Sequence, residues 1–132
     1  MSTPVSESTK GAPEWSIKKA IETYFIDRWG GQYFSINNKG NVTVSPLQAK
    51  GGSIDMMDVV AEAHQRGLGF PLLVRFQDLL RHRVEQLNES FAASISENNY
   101  NGKYFGVFPI KVNQLREVVE EIIDAGTPYN YG

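Results

Sequence analysis

The 132-residue chain has no cysteine, only two histidines and two tryptophans, and no excess of basic residues: 13 Lys plus Arg stand against 15 Asp plus Glu, a net charge of −2. Without cysteine there is no disulfide framework, no thiolate metal site and no thiolate nucleophile. Without a basic excess the balance argues against a nucleic-acid partner, because polyanion binding normally leaves a basic excess or patch. No apolar run approaches the length needed to cross a bilayer, and the N-terminus lacks a signal-peptide core. The expected setting is therefore the cytoplasm, with no membrane partner. His64 has no second ligand at metal-binding spacing, and Met56-Met57 is more simply core than a pair of sulfur ligands. The remainder is ordinary, at 41% hydrophobic and 21% charged, and long enough for one domain with a modest core.

Along the chain, residues 1–12 are rich in Ser, Thr, Pro and Gly and read as a disordered tail. Pro13 and Glu14 suit a helix start, and Ile17, Ala20, Ile21, Tyr24 and Phe25 give that helix an apolar packing face. Trp29-Gly30-Gly31 ends it. Tyr33–Ile36 and Val42–Ser45 are then expected as a β-hairpin turned by Asn37-Asn38-Lys39-Gly40, since Asn and Gly tolerate positive φ. Gly30-Gly31 reads as a turn, not a phosphate loop, because a strand and not a helix follows it. After a break at Gly51-Gly52, Asp55 is a candidate N-cap with Asp58 at N3 and an Ile54–Val59 staple, for a helix running to Arg66 and stopping at Gly67. Phe70–Phe76 reads as a short apolar strand. A long helix over about 78–94 follows, with Leu80, Val84, Leu87, Phe91 and Ile95 on one side. Its Arg81-His82-Arg83 cluster, followed by Glu85, reads as a solvated face.

The chemistry concentrates in Tyr104-Phe105-Gly106-Val107-Phe108-Pro109-Ile110-Lys111-Val112-Asn113-Gln114. A nearly continuous apolar run predicts a strand buried on both faces, as in parallel sheets covered by helices. From Leu115 the period becomes helical: Leu115, Val118, Val119, Ile122 and Ile123 share a face, Asn113 is positioned to cap, and Gly126-Thr127-Pro128 closes the helix. Lys111 thus falls at a strand's carboxyl end, where α/β barrels and open α/β sheets present their chemistry. A lysine drawn out of water there becomes a nucleophilic amine suited to Schiff-base formation; the alternative is a snorkelling or ion-paired lysine. Pro109, unable to donate to a ladder, is expected to bend the strand and aim the amine.

These segments resemble the biosynthetic arginine decarboxylases, pyridoxal-phosphate enzymes of the alanine-racemase-like fold. Phe108-Pro109-Ile110-Lys111-Val112-Asn113-Gln114 is similar to their cofactor-lysine motif. Trp29-Gly30-Gly31-Gln32-Tyr33-Phe34, the hairpin through Val44-Ser45-Pro46, Phe70-Pro71-Leu72-Leu73-Val74-Arg75-Phe76 and Asn101-Gly102-Lys103-Tyr104-Phe105 follow the family's order over about residues 20–132.

The resemblance implies an α/β chain that is an N-terminal fragment of a (β/α)8 barrel enzyme. Residues 13–50 would be a helix and hairpin belonging to the associated β domain, and residues 51–132 the helices and first strand-helix unit of an incomplete barrel. It implies Lys111 as the catalytic and cofactor-binding residue, carrying pyridoxal 5'-phosphate as a Schiff base. It also implies conversion of L-arginine to agmatine and CO2 in polyamine biosynthesis, Mg2+ as a further cofactor without a ligand named here, and a homo-oligomer in the full-length protein. The fragment alone is expected to be inactive. The alternatives are a related decarboxylase of ornithine, diaminopimelate or carboxynorspermidine, or a non-catalytic interaction module.

Overall fold

The computed structural model describes residues 14–131, so the tail expected over residues 1–12 and the helix-start Pro13 lie outside the described residues. Helix α1 spans Ile17–Tyr24 and is capped by Ser16, whose Oγ accepts from the Lys19 amide at 3.2 Å. A serine cap satisfies one of the orphan amides of the first turn, and this sets the helix start. Phe25 stops α1 in the left-handed region at φ 53°, and the one-turn α2, Ile26–Trp29, follows. Gly30 is buried. A Cβ there would run into the Ile26 carbonyl and lie 2.9 Å from that of Phe34, so close backbone approach demands glycine.

Strands β1 (Phe34–Ile36) and β2 (Val42–Val44) form the expected hairpin, with Phe34 opposite Val44 and Ile36 opposite Val42. Gly40, at φ 84°, supplies the turn. A third strand, β3 (Ile54–Asp55), pairs antiparallel with β2. It lies past the Gly51-Gly52 break, so the hairpin and the start of the following segment share one sheet. Val44 is wholly buried beneath it.

Helix α3 (Met56–Gln65) begins at Asp55 and ends before Gly67, which takes φ 78°. Asp55 caps it by accepting from the Met57 amide at 2.9 Å. The same carboxylate accepts from the side-chain amides of Asn37 at 2.8 Å and Asn41 at 3.0 Å. The hairpin turn is thereby tied to the helix start.

Helices α4 (Gln77–Glu97) and α5 (Arg116–Gly126) pack on each other around Val84, Val118, Ile122 and Ala125, with Leu80, Phe108 and Tyr131 against them. Arg81 and Glu121 bridge their polar rims at 2.6 Å. The expected stripe of α4 is only partly used: Val84 is buried and Leu80 half-buried, while Leu87 and Phe91 remain over two-fifths exposed.

The chain is mixed α/β, but the parallel barrel unit expected from the apolar runs is not formed among the described residues. The predicted strand over 104–110 is absent. Residues 101–109 run without regular structure into a 3-10 turn at Ile110–Val112. The run touches α4 through Tyr104, stacked on Phe91 at 3.9 Å between ring centroids, and Phe108 enters the α4–α5 core. Phe105 and Val107, however, are 63% and 75% exposed. The physical reason is that a strand cannot satisfy its own amides and carbonyls, and among the described residues no neighbouring strand lies beside this one. The predicted strand over Phe70–Phe76 is missing on the same grounds.

Candidate functional site

Lys111 sits in the middle of the Ile110–Val112 turn, in the link between α4 and α5. Pro109 opens the turn: its carbonyl accepts from the Val112 amide at 3.0 Å, and that of Ile110 accepts from the Asn113 amide at 3.1 Å. Pro109 therefore starts a helical turn instead of bending a ladder. Asn113 does not cap α5 as expected. Its Oδ1 accepts from the Leu115 amide at 3.1 Å, and Leu115 takes the N-cap place without a side-chain hydrogen bond. The asparagine shapes the approach to the helix by one local Asx bond.

The Lys111 side chain is exposed. The expected drawing of its ammonium out of water is thus not supplied by the described residues, among which no sheet encloses it. The amine lies instead on a shallow concavity of about 630 Å³, lined by Arg75, Lys111, Val112, Asn113, Gln114 and Leu115. Two cations and two carboxamides line it, and no carboxylate does. Neither Arg75 nor Lys111 takes part in an ion pair or side-chain hydrogen bond among the described residues, where only Lys18, Arg66, Arg81 and Arg116 of the lysines and arginines have a carboxylate partner.

Arg75 was not among the sequence candidates, although a signal was present: Leu72-Leu73-Val74-Arg75 and Val107-Phe108-Pro109-Ile110-Lys111 are two apolar runs each ending in one cation. The basic cluster on α4 resolves into separate partnerships. Arg81 pairs with Glu121, His82 hydrogen-bonds Tyr33, and Arg83 reaches Gln86 and lies over the Tyr33 ring. His64 is exposed, and no group of three or more candidate metal ligands occurs among the described residues. No helix among them is long and apolar enough to cross a membrane.

No family model matches the chain. By sequence, it is nevertheless similar to part of curated amino-acid decarboxylases. The kinship is with the biosynthetic arginine decarboxylases: the chain is 46% identical over 118 residues to that of Parasynechococcus marenigrum and 48% identical over 118 residues to that of Nostoc sp., each match covering 89% of this chain. A third, from Prochlorococcus marinus, is 39% identical over 127 residues, or 96% of this chain. The chain spans only 17–20% of the length of these curated relatives. A span of 118 residues within 132 necessarily includes both Arg75 and Lys111.

Proposed function

We propose that the chain is a segment of an arginine decarboxylase, a cytoplasmic homo-oligomer of polyamine biosynthesis that converts L-arginine to agmatine and CO2, with Lys111 as the residue that tethers pyridoxal phosphate. The observation that carries the reading is identity of 39–48% to curated arginine decarboxylases over about nine-tenths of the chain. The residues present fit one demand of that cofactor. Lys111 offers an accessible primary amine without a competing carboxylate, on a turn whose ends are fixed by backbone hydrogen bonds. The other demands are not met around it: no acid lines the concavity to face a ring nitrogen. When bound, pyridoxal phosphate supplies an electron sink for the pair left as CO2 departs.

The part of this chain would be to present the amine of Lys111 from a turn held by the Pro109 and Ile110 carbonyls. Water exclusion and proton placement need walls and acids that must come from outside these residues. For the chain alone, the exposure of Lys111 favours the non-catalytic reading, so we expect no turnover from it. For magnesium, the other implied cofactor, the described residues offer no group of three or more His, Cys, Asp or Glu side chains.

The test is to assay the full-length protein for CO2 release from arginine, ornithine, diaminopimelate and carboxynorspermidine. Arginine should be preferred, and Lys111→Ala should abolish turnover. A preference for another of the four, or full activity in the Lys111 variant, overturns the assignment.

A further inference from the structure

We infer that Asn101 is a site of spontaneous chemical modification, where the side chain closes on the Gly102 amide nitrogen, expels ammonia and leaves an aspartyl or isoaspartyl residue at the head of the stretch that leads to Lys111. Ring closure needs a carboxamide free to turn, a following amide nitrogen free to attack, and no side chain on that following residue to block the approach. Of the nine asparagines, Asn101 alone is followed by glycine. Gly102 lacks the Cβ that would shield its nitrogen. Among the described residues the Gly102 amide donates to no backbone carbonyl, the Asn101 carboxamide has no hydrogen-bond partner, and Asn101 is exposed.

The other asparagines each lack one of these freedoms. The amides that would attack Asn38, Asn98, Asn99 and Asn130 are those of Lys39, Asn99, Tyr100 and Tyr131, and each already donates, to Asn37 Oδ1 and to the carbonyls of Ser96, Ile95 and Gly126. Asn37, Asn41 and Asn113 have their carboxamides held, the first two by the Asp55 carboxylate and the third by the Leu115 amide. Asn88 is buried within α4 at 3% exposure and donates to the Val84 carbonyl. An engaged group must first give up its bond, which adds to the barrier. Glycine is also fixed at position 102, because a Cβ there would run into the Tyr100 ring. The labile pair is therefore built in by the packing where the chain leaves α4. In the step itself the bond from the Gly102 nitrogen to Asn101 Cγ forms as the Cγ–Nδ2 bond breaks, and ammonia carries off the proton that the Gly102 amide gives up. Water then opens the succinimide ring. Cleavage at Cγ gives aspartate, and cleavage at the main-chain carbonyl gives isoaspartate, whose chain runs on through Cβ and Cγ. Either product adds one negative charge to a chain of net charge −2. Isoaspartate also lengthens the backbone just ahead of Tyr104, which is stacked on Phe91.

The experiment holds the 132-residue chain in warm, mildly alkaline buffer, native or in guanidinium chloride, and follows each asparagine by peptide mass spectrometry, with electron-transfer fragmentation to tell isoaspartate from aspartate. In the native chain Asn101 should lose its amide at least about tenfold faster than Asn98, Asn99 or Asn130, a barrier lower by about 1.4 kcal/mol. Denaturant should speed those three, whose attacking amides it frees, and leave Asn101 within about twofold of its native rate. Asn101→Gln keeps an exposed carboxamide but forces a larger ring, so the acidic form that accumulates on anion exchange should disappear. A native Asn101 rate no faster than those of Asn98 and Asn99, or one that rises with denaturant as steeply as theirs, overturns the assignment. So does an acidic form that accumulates as fast in Asn101→Gln as in the wild type.

Discussion

The hydroxyl of Tyr33 lies 2.8 Å from Nδ1 of His82, and among the described residues this is the one side-chain hydrogen bond that joins the hairpin unit to α4. The rings meet edge to face at 5.7 Å between centroids, and the phenol is 94% covered, at 6% exposure. Tyr33→Phe keeps the ring and removes the bond. We expect a loss of about 0.5–1.5 kcal/mol, and a double-mutant cycle with His82→Leu should return most of it as coupling energy. Urea midpoints of the four chains measure this; purely additive losses would show the contact to be energetically idle.

Asp55 gives the fold an acid-sensitive joint. The Asn41 amide, the Met57 backbone N–H and the Asn37 amide hold its carboxyl below the usual carboxylate range, with Lys39 adding to them and burial opposing them. The folded state therefore binds this proton less readily than the unfolded chain. The contribution is fully present above the unfolded value near 3.8 and is lost as pH falls through the lower folded value. Urea midpoints taken from pH 6 down to pH 3 should fall for the wild type and fall less for Asp55→Asn. Parallel curves for the two chains would contradict this.

The α4–α5 contact is the main apolar core of the second half. Ile122 is 2% exposed within it and Ile123, its neighbour, is 49% exposed. Ile122→Ala should cost about 2–4 kcal/mol, a large share of the stability of a small chain, whereas Ile123→Ala should cost well under half as much. Denaturant unfolding followed by circular dichroism distinguishes them, and equal losses would mean that the helices do not pack on this face.

Amide exchange should divide the C-terminal half sharply. No backbone hydrogen bond is donated by residues 101–109, while α5 residues 118–125 donate within the helix. Hydrogen–deuterium exchange read by mass spectrometry should find the first stretch labelled within the earliest time points and the second protected. Protection over 103–108 in the chain alone would mean that it has found a strand partner.

Much of this architecture was legible because local rules carried it. Asp55 is a cap by its own chemistry, the hairpin follows from its Asn37-Asn38-Lys39-Gly40 turn, and the helical period of 115–123 reads through to α5, although Leu115 and Ile123 end up exposed and Ala125 is buried instead. Where the reading depended on partners, it failed. A run such as Tyr104–Ile110 states that its side chains suit burial, and it cannot state that covering strands are at hand. β3 escaped notice because two residues carry no period and its pairing is long-range. Arg75 escaped because an apolar run ending in one cation is a weak signal by itself; only the fold brings it to line one concavity with Lys111.

The uncovered stretches have a material consequence for anyone handling the chain. Leu73, Phe105 and Val107 are oily groups set on backbone whose amides and carbonyls stand open, and such segments recruit any extended polypeptide that comes near. In a concentrated sample the nearest extended polypeptide is another copy. Turbidity and yield should thereby respond to substitutions at residues that perform no chemistry at all.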